Sequence, residues 1–150
     1  MYESEILAME HVIYLDDDVT ELNDLLSGRK SMIIQSSHDF WNDYKEVVVG
    51  DTLYFMIEDG GGHVEARGMA IDVIKTENLS KKEEIVDLIL HHQDKLQLTV
   101  SQLKKWVRTH FLTLIEVSGV EEMSGYYLKS NTLEKTKNWL QITEIEYLRK

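Results

Sequence analysis

Leu26-Ser27-Gly28-Arg29-Lys30-Ser31-Met32-Ile33-Ile34-Gln35-Ser36 is the stretch from which the fold is read. Upstream of it Val19, Leu22, Leu25 and Leu26 recur at helical spacing. Asp16-Asp17-Asp18 puts acids at that helix's positive end, and Asp18 with Glu21 has capping-box spacing. Gly28 supplies a left-handed stop, because glycine enters positive φ at no steric cost. Two cations follow at once, and Met32-Ile33-Ile34 then reads as a buried strand. A turn between a helix end and a buried strand holds Arg29 and Lys30 at a fixed place, at the mouth of whatever the strands enclose. Two roles are open to the pair. Cations complement the negative C-terminal end of a helix, and an Arg-Lys pair also meets a phosphate, carboxylate or carbonyl oxygen of a ligand.

The rest of the chain says what kind of core that strand enters. At 150 residues, 43% hydrophobic and 29% charged, it reads as one globular domain spanning residues 1–150. No apolar run approaches the roughly 20 residues of a membrane helix, so no membrane partner is expected. Met1-Tyr2-Glu3-Ser4-Glu5 is acidic, whereas an export signal begins basic. With zero cysteines there are no disulfides and no thiolate metal ligands, and a cytoplasmic location is expected. The net charge of −11 repels polyanions at long range. Any nucleic-acid contact has to be local, in a cationic cleft, and weak or centred on the base. Zero prolines point to no function.

Further along the chain, His11 to Leu15 reads as a first strand and Thr52-Leu53-Tyr54-Phe55-Met56-Ile57 as a strand buried on both faces. Asp59-Gly60-Gly61-Gly62 is a hairpin turn and not a phosphate loop, since no Gly-Lys-Ser/Thr follows. On the return strand Val64, Ala66 and Gly68 share one phase, and Met69, Ile71 and Val73 the other. A phase switch at Gly68 predicts a β-bulge there, of the kind that bends strands into barrels. Arg67 beside it points outward or into a cleft. Ser80 with Glu83, and Thr99 with Gln102, are capping boxes opening two helices. The second carries the densest cationic cluster, Lys104, Lys105 and Arg108, which reads as a solvated face. Phe111 to Val117 is a continuous apolar run and hence a central strand; Trp139 to Leu148 reads as a closing strand.

The order β-α-β-β-β-α-α-β-β predicts an α+β fold, a small mixed or antiparallel β-barrel flanked by about three helices. Between the second and third strands, the loop Ser36 to Lys45 carries His38, Phe40, Trp41 and Tyr44. These aromatics either stack on a base or cap the core from outside. His91 and His92 point roughly 100° apart on a helix and cannot share a metal. Ser36-Ser37-His38-Asp39 holds triad residue types, but triad members come from distant segments. No metal or cofactor is expected.

Several blocks together resemble the ASCH domain family of the PUA-like superfamily. They are Leu26 to Ser31 followed by Gly50-Asp51-Thr52-Leu53, Lys95-Leu96-Gln97-Leu98-Thr99, Leu103-Lys104-Lys105-Trp106 and Leu114-Ile115-Glu116-Val117. Tyr127-Leu128-Lys129-Ser130 and Asn138-Trp139-Leu140 resemble the ending of a bacterial branch whose members mostly lack an assigned function. The resemblance implies a PUA-like barrel that binds RNA or a nucleotide-like small molecule in a cleft bordered by the Gly28-Arg29-Lys30 turn. The expected contacts are Arg29, Lys30, Ser31, Gln35 and Ser36 from the turn and strand, with Trp41, Tyr44, Arg67 and Lys129 from elsewhere. Gln35 both donates and accepts, which suits a base edge.

One branch of the family hydrolyses an acylated cytidine amide, using the turn lysine, a threonine and a glutamate before the Leu-Lys-Lys helix. Here the lysine is Lys30, but Ile33 stands at the threonine, Gln35 at the arginine of that motif and Leu96 at the glutamate, with Asp94 the nearest acid. Isoleucine is no nucleophile, so the comparison favours binding over catalysis. Hydrolysis of an acylated nucleoside or similar amide remains the alternative, with Lys30 as base assisted by Asp94 or a serine.

Overall fold

The computed structural model describes residues 10–15, 19–36, 47–57, 63–76, 81–108, 112–123 and 139–142, with Val19, Ser36 and residues 139–142 described by their backbone. The elements are β1 (Glu10–Leu15), α1 (Val19–Ser27), β2 (Met32–Ser36), β3 (Thr52–Ile57), β4 (Val64–Lys75), α2 (Lys82–His91), α3 (Gln93–Leu96), α4 (Val100–Trp106), β5 (Leu112–Glu122) and β6 (Trp139–Ile142). This is the order read from the sequence with a single helical turn, α3, inserted, so four helices and not three accompany the sheet. The strands form one mixed six-stranded sheet in the order β2-β5-β4-β3-β1-β6. β1 runs parallel to β3; the other pairings are antiparallel. β2 and β6 are the two ends of this row, and the sheet is a curled half-barrel.

Two apolar clusters lie on the two sides of this sheet. Under α1, Leu22 and Leu25 pack with Ile13, Leu15, Leu53, Phe55, Ala66, Ala70 and Val117. Against α2 to α4, Met32, Ile34, Leu112 and Leu114 pack with Ile85, Ile89, Leu96 and Trp106. Ile33 and Ile115 face the first cluster while their strand neighbours face the second. That is why Met32-Ile33-Ile34 and the run ending at Val117 do not alternate: β2 and β5 are covered on both faces. Each fully buried aliphatic side chain contributes about 1.5–3 kcal/mol, so these strands anchor everything attached to them.

Local chemistry sets the helix ends. Gly28 follows α1 at φ 85°, a conformation that L side chains rarely adopt. The Thr99 hydroxyl accepts from Gln102 N at 3.1 Å while the Gln102 side chain accepts from Thr99 N at 2.9 Å, the reciprocal cap read from the sequence. α2 starts one residue later than expected: Lys81 N donates to Glu84 Oε1 at 3.3 Å, and Ser80 lies outside the described residues. Asp18, the Asp59 to Gly62 turn and residues 143–150 also lie outside them.

The phase reading of β4 is corrected. Gly68 and Ala70 stay on the buried side with Ala66, while Met69 and Ile71 are 48% and 43% exposed. The inward phase changes at Ile71-Asp72, where Ala70 pairs with Val117 but Asp72 with Glu116, so that the extra residue lies on β4. Beside Gly68 the ladder also shifts, but Arg67 pairs with Glu121 and Met69 with Ser118, which puts the extra residue on β5, near Gly119 at φ 62°. A third shift separates Phe55 from Met56 opposite Ala66 and Val64. The curl is thus spread along β4 and not concentrated at one glycine.

Gly68 is needed for a different reason. A Cβ there would sit 3.0 Å from Val120 Cγ2 and 3.3 Å from the Ser118 carbonyl oxygen. Gly68→Ala is expected to destabilise by about 1–3 kcal/mol through overpacking between β4 and β5, read as a lower urea midpoint with unchanged slope.

Candidate functional site

The Gly28-Arg29-Lys30 turn is pinned from several sides. Lys30 N donates to Asp24 O at 3.0 Å, Ser31 N to Lys95 O at 3.0 Å, and Val117 N to Ser31 O at 2.9 Å. Helix, sheet and the α3 turn therefore converge on two consecutive residues, Lys30 and Ser31. Arg29 points outward and is exposed, with its backbone N donating to the Ser27 hydroxyl at 3.4 Å.

Lys30 is the opposite case. It is only 2% exposed, its Nζ donates to the Leu96 carbonyl, and the same nitrogen lies 3.3 Å from Glu21 Oε2. Glu21 was read in the sequence as half of a helix cap; in the fold its carboxylate sits in the first turn of α1 and faces Lys30. The recess around the ammonium is lined by Thr20, Glu21, Asp24, Gln97, Thr99 and Gln102 and encloses about 20 Å³, room for about one water. Gln97 closes it in a left-handed conformation, φ 51°. At the position where the hydrolase branch has its glutamate, Leu96 offers Lys30 a backbone carbonyl instead. Neither Asp94 nor Ser31 lines this recess.

The other sequence candidates fall elsewhere. Gln35 is buried in β2 opposite Thr113, five residues from Lys30 and so about 16 Å along an extended chain. Ser36 ends β2 opposite Leu112. Trp41, Tyr44 and Lys129 lie outside the described residues. Arg67 is exposed on β4, on the sheet face turned away from α1. Among the described residues, Arg67 and Lys30 line separate recesses.

Around Arg67 lies a second, larger recess. It holds about 350 Å³ and is lined by Glu10, Thr52, Tyr54, Arg67, Gly68, Met69, Ser118 and Gly119. The Tyr54 hydroxyl donates to Glu10 Oε2 at 2.9 Å, and Arg67 Nε donates to Glu121 Oε1 at 2.7 Å. Burial, then the hydrogen bond and negative charge of Glu10, push the Tyr54 hydroxyl well above its ordinary pKa. Tyr54 is therefore a proton donor throughout the physiological range.

A third polar cluster is wholly internal. His11 Nε2 lies 2.9 Å from Asp51 Oδ2, which also accepts from Val48 N at 3.0 Å. Burial lowers the His11 pKa, against the raising effect of Asp51. Among the described residues no group of three or more His, Asp and Glu side chains is placed to hold a metal. Lys104, Lys105 and Arg108 are exposed, and Lys105 Nζ lies 4.5 Å from the Trp106 ring centroid. No helix of the described residues is long and apolar enough to cross a membrane.

Comparison with known proteins identifies the fold. No protein-family profile and no curated protein sequence matches the chain. Among solved structures, it is similar to the ASCH protein of Zymomonas mobilis, with a TM-score of 0.63 at 10% identity, covering 92% of this chain and 90% of that one. A point mutant of the same protein gives a TM-score of 0.64 at 10% identity over 92% and 93%. The N-terminal domain of Staphylothermus marinus McrB gives 0.52 at 9% identity over 92% and 90%. At such identities the likeness is one of fold, and the fold is that of the ASCH structures, as the sequence blocks led us to expect.

Proposed function

We propose that this chain is a PUA-like binding module that takes RNA or a nucleotide-like small molecule at the edge formed by the Gly28-Arg29-Lys30 turn, and that it does not hydrolyse acylated nucleosides. The observation carrying this reading is the division of labour in the turn. Arg29 is exposed on a backbone tied to α1, α3 and β5, while the charge of Lys30 is met internally by Glu21 and Leu96 O. An anionic group arriving at the turn finds Arg29 first, whose planar guanidinium suits a bidentate contact. With a net charge of −11 opposing long-range capture, the interaction is local and falls off with salt less steeply than that of a basic protein.

Against hydrolysis stands Ile33, which is 1% exposed and packed in the cluster under α1. The Lys30–Glu21 pair resembles a proton relay, and Thr20 and Thr99 line the recess beside it, but its volume of about 20 Å³ admits no substrate.

Titration of short RNAs and nucleotides into the protein, followed by thermal shift, tests the reading. Saturable stabilisation is expected, and Arg29→Ala should bind about tenfold more weakly, the loss of one charge-assisted contact. Equal affinity of Arg29→Ala and wild type would remove the turn from the binding surface. Release of acid from acylated nucleosides would restore the hydrolase alternative.

A further inference from the structure

We propose that the recess on the outer face of β1, β3, β4 and β5 binds a small zwitterion, a molecule carrying both a carboxylate and an ammonium group in the manner of a free α-amino acid. The site is separate from the Lys30 turn and owes nothing to the reading made there.

The carboxylate half of the argument starts from Arg67. Its Nε and Nη2 both lie 2.7 Å from one oxygen of Glu121, so the guanidinium already grips a carboxylate at the rim of the recess. Both side chains are about half exposed, at 49% and 57%. An exposed pair of this kind holds itself together only weakly, so an incoming carboxylate replaces Glu121 on the same donors at little cost. Glu121 occupies the place a ligand would take.

The ammonium half starts from Tyr54. Its hydroxyl donates to Glu10 Oε2 at 2.9 Å, and its cross-strand neighbour on β4 is Arg67, which lines the same recess. Arg67 and Glu10 thus border one recess with Tyr54, a cation and an anion to which the two charged groups of one α-amino acid are each complementary. A carboxylate accepts several donors at once, so Glu10 can hold an ammonium while keeping Tyr54.

Shape and charge narrow the ligand further. Thr52, Ser118, Gly68 and Gly119 keep the floor of the recess low, and Met69, 48% exposed, offers a polarisable apolar wall. The 350 Å³ of space suits a small metabolite. A phosphate carrying two negative charges would meet the carboxylates of Glu10 and Glu121, and a simple amine would make no use of the Arg67 guanidinium. A zwitterion satisfies both.

Calorimetric titration of the whole chain with free α-amino acids, their carboxamides, their N-acetyl derivatives and nucleoside monophosphates tests this. Saturable binding of at least one free amino acid is expected, weakened tenfold or more by either chemical block. Arg67→Ala should lose tenfold or more in affinity. Glu121→Ala, a change at an exposed position that leaves the fold intact, should bind several-fold more tightly because the competing carboxylate is gone. A cross-strand ladder that serves the sheet alone would give no binding at all. No binding by any free amino acid, equal binding of the blocked forms, or an affinity unchanged in Glu121→Ala would overturn the proposal. Phosphate binding lost in Arg67→Ala would overturn it in favour of an anion site. RNA binding is read on Arg29→Ala, so the two readings fail separately.

Discussion

Lys30→Ala is expected to lower stability by about 3–5 kcal/mol, because it strips a buried charge pair of one member. For a chain of this size that corresponds to a fall in melting temperature of roughly 6–20 °C. The lysine is 2% exposed and Glu21 11% exposed, so the carboxylate left behind has little access to water. The Leu96 carbonyl loses its donor as well. Removing both charges together is a different experiment. Lys30→Met combined with Glu21→Leu should recover most of the loss, since a buried ion pair replaced by apolar groups of similar size is often neutral or stabilising. Thermal unfolding of the two single variants and the double variant closes the cycle. A Lys30→Ala protein melting with the wild type would mean that the pair contributes nothing to the fold and that Lys30 is held for a ligand. The prediction bears on function too: weaker RNA binding by Lys30→Ala could reflect partial unfolding, which is why Arg29 is the cleaner probe of the turn.

Lys30 also shows where sequence reading works and where it stops. Gly28, the Thr99–Gln102 cap and the non-alternating runs of β2 and β5 are local signals: each depends on residues within a few positions and on whether a strand is covered on one face or two. These were enough to give the element order and the curled α+β sheet. The partners of Lys30 were not local. Glu21 had a sufficient local explanation as a capping acid, and nothing in its neighbourhood announced that α1 would dock with that carboxylate over the turn. The phase of β4 failed for a related reason. Bulges at Glu65, Ile71 and Gly119 are properties of strand pairs, and a single strand's alternation does not report which partner carries the extra residue. The Arg67 recess depends on four strands meeting side by side, with Tyr54 and Glu10 44 residues apart. Arg67 was legible as a candidate; its company was not.

The second large effect is expected at Asp51. Asp51→Ala should cost about 2–4 kcal/mol, because the buried His11 ring and the part-buried Val48 N–H lose their shared acceptor at once. Val48 N–H and the His11 ring both use Asp51 Oδ2, and His11 is 0% exposed. The backbone holds the same turn in place: Gly50 N donates to Ala70 O and Ala70 N to Asp51 O, so this one residue ties the turn before β3 to β4 by its main chain and to β1 by its side chain. His11 makes the same cluster sensitive to acid. Burial holds its pKa below the ordinary 6.5, with Asp51 only partly compensating. The unfolded chain therefore takes up a proton at this histidine before the folded one does. The stability linked to His11 is fully present above pH 6.5 and is lost as pH falls from there through the lower folded value. Urea unfolding measured from pH 7.5 down to pH 5 should show this as a declining limb of up to about 1.4 kcal/mol per pH unit. His11→Gln keeps a donor for Asp51 but cannot titrate, so its limb should be shallower by up to one proton even if its stability at pH 7.5 is reduced. Identical limbs in the two proteins would assign the acid sensitivity to the carboxylates elsewhere in this acidic chain and leave His11 with a purely structural hydrogen bond.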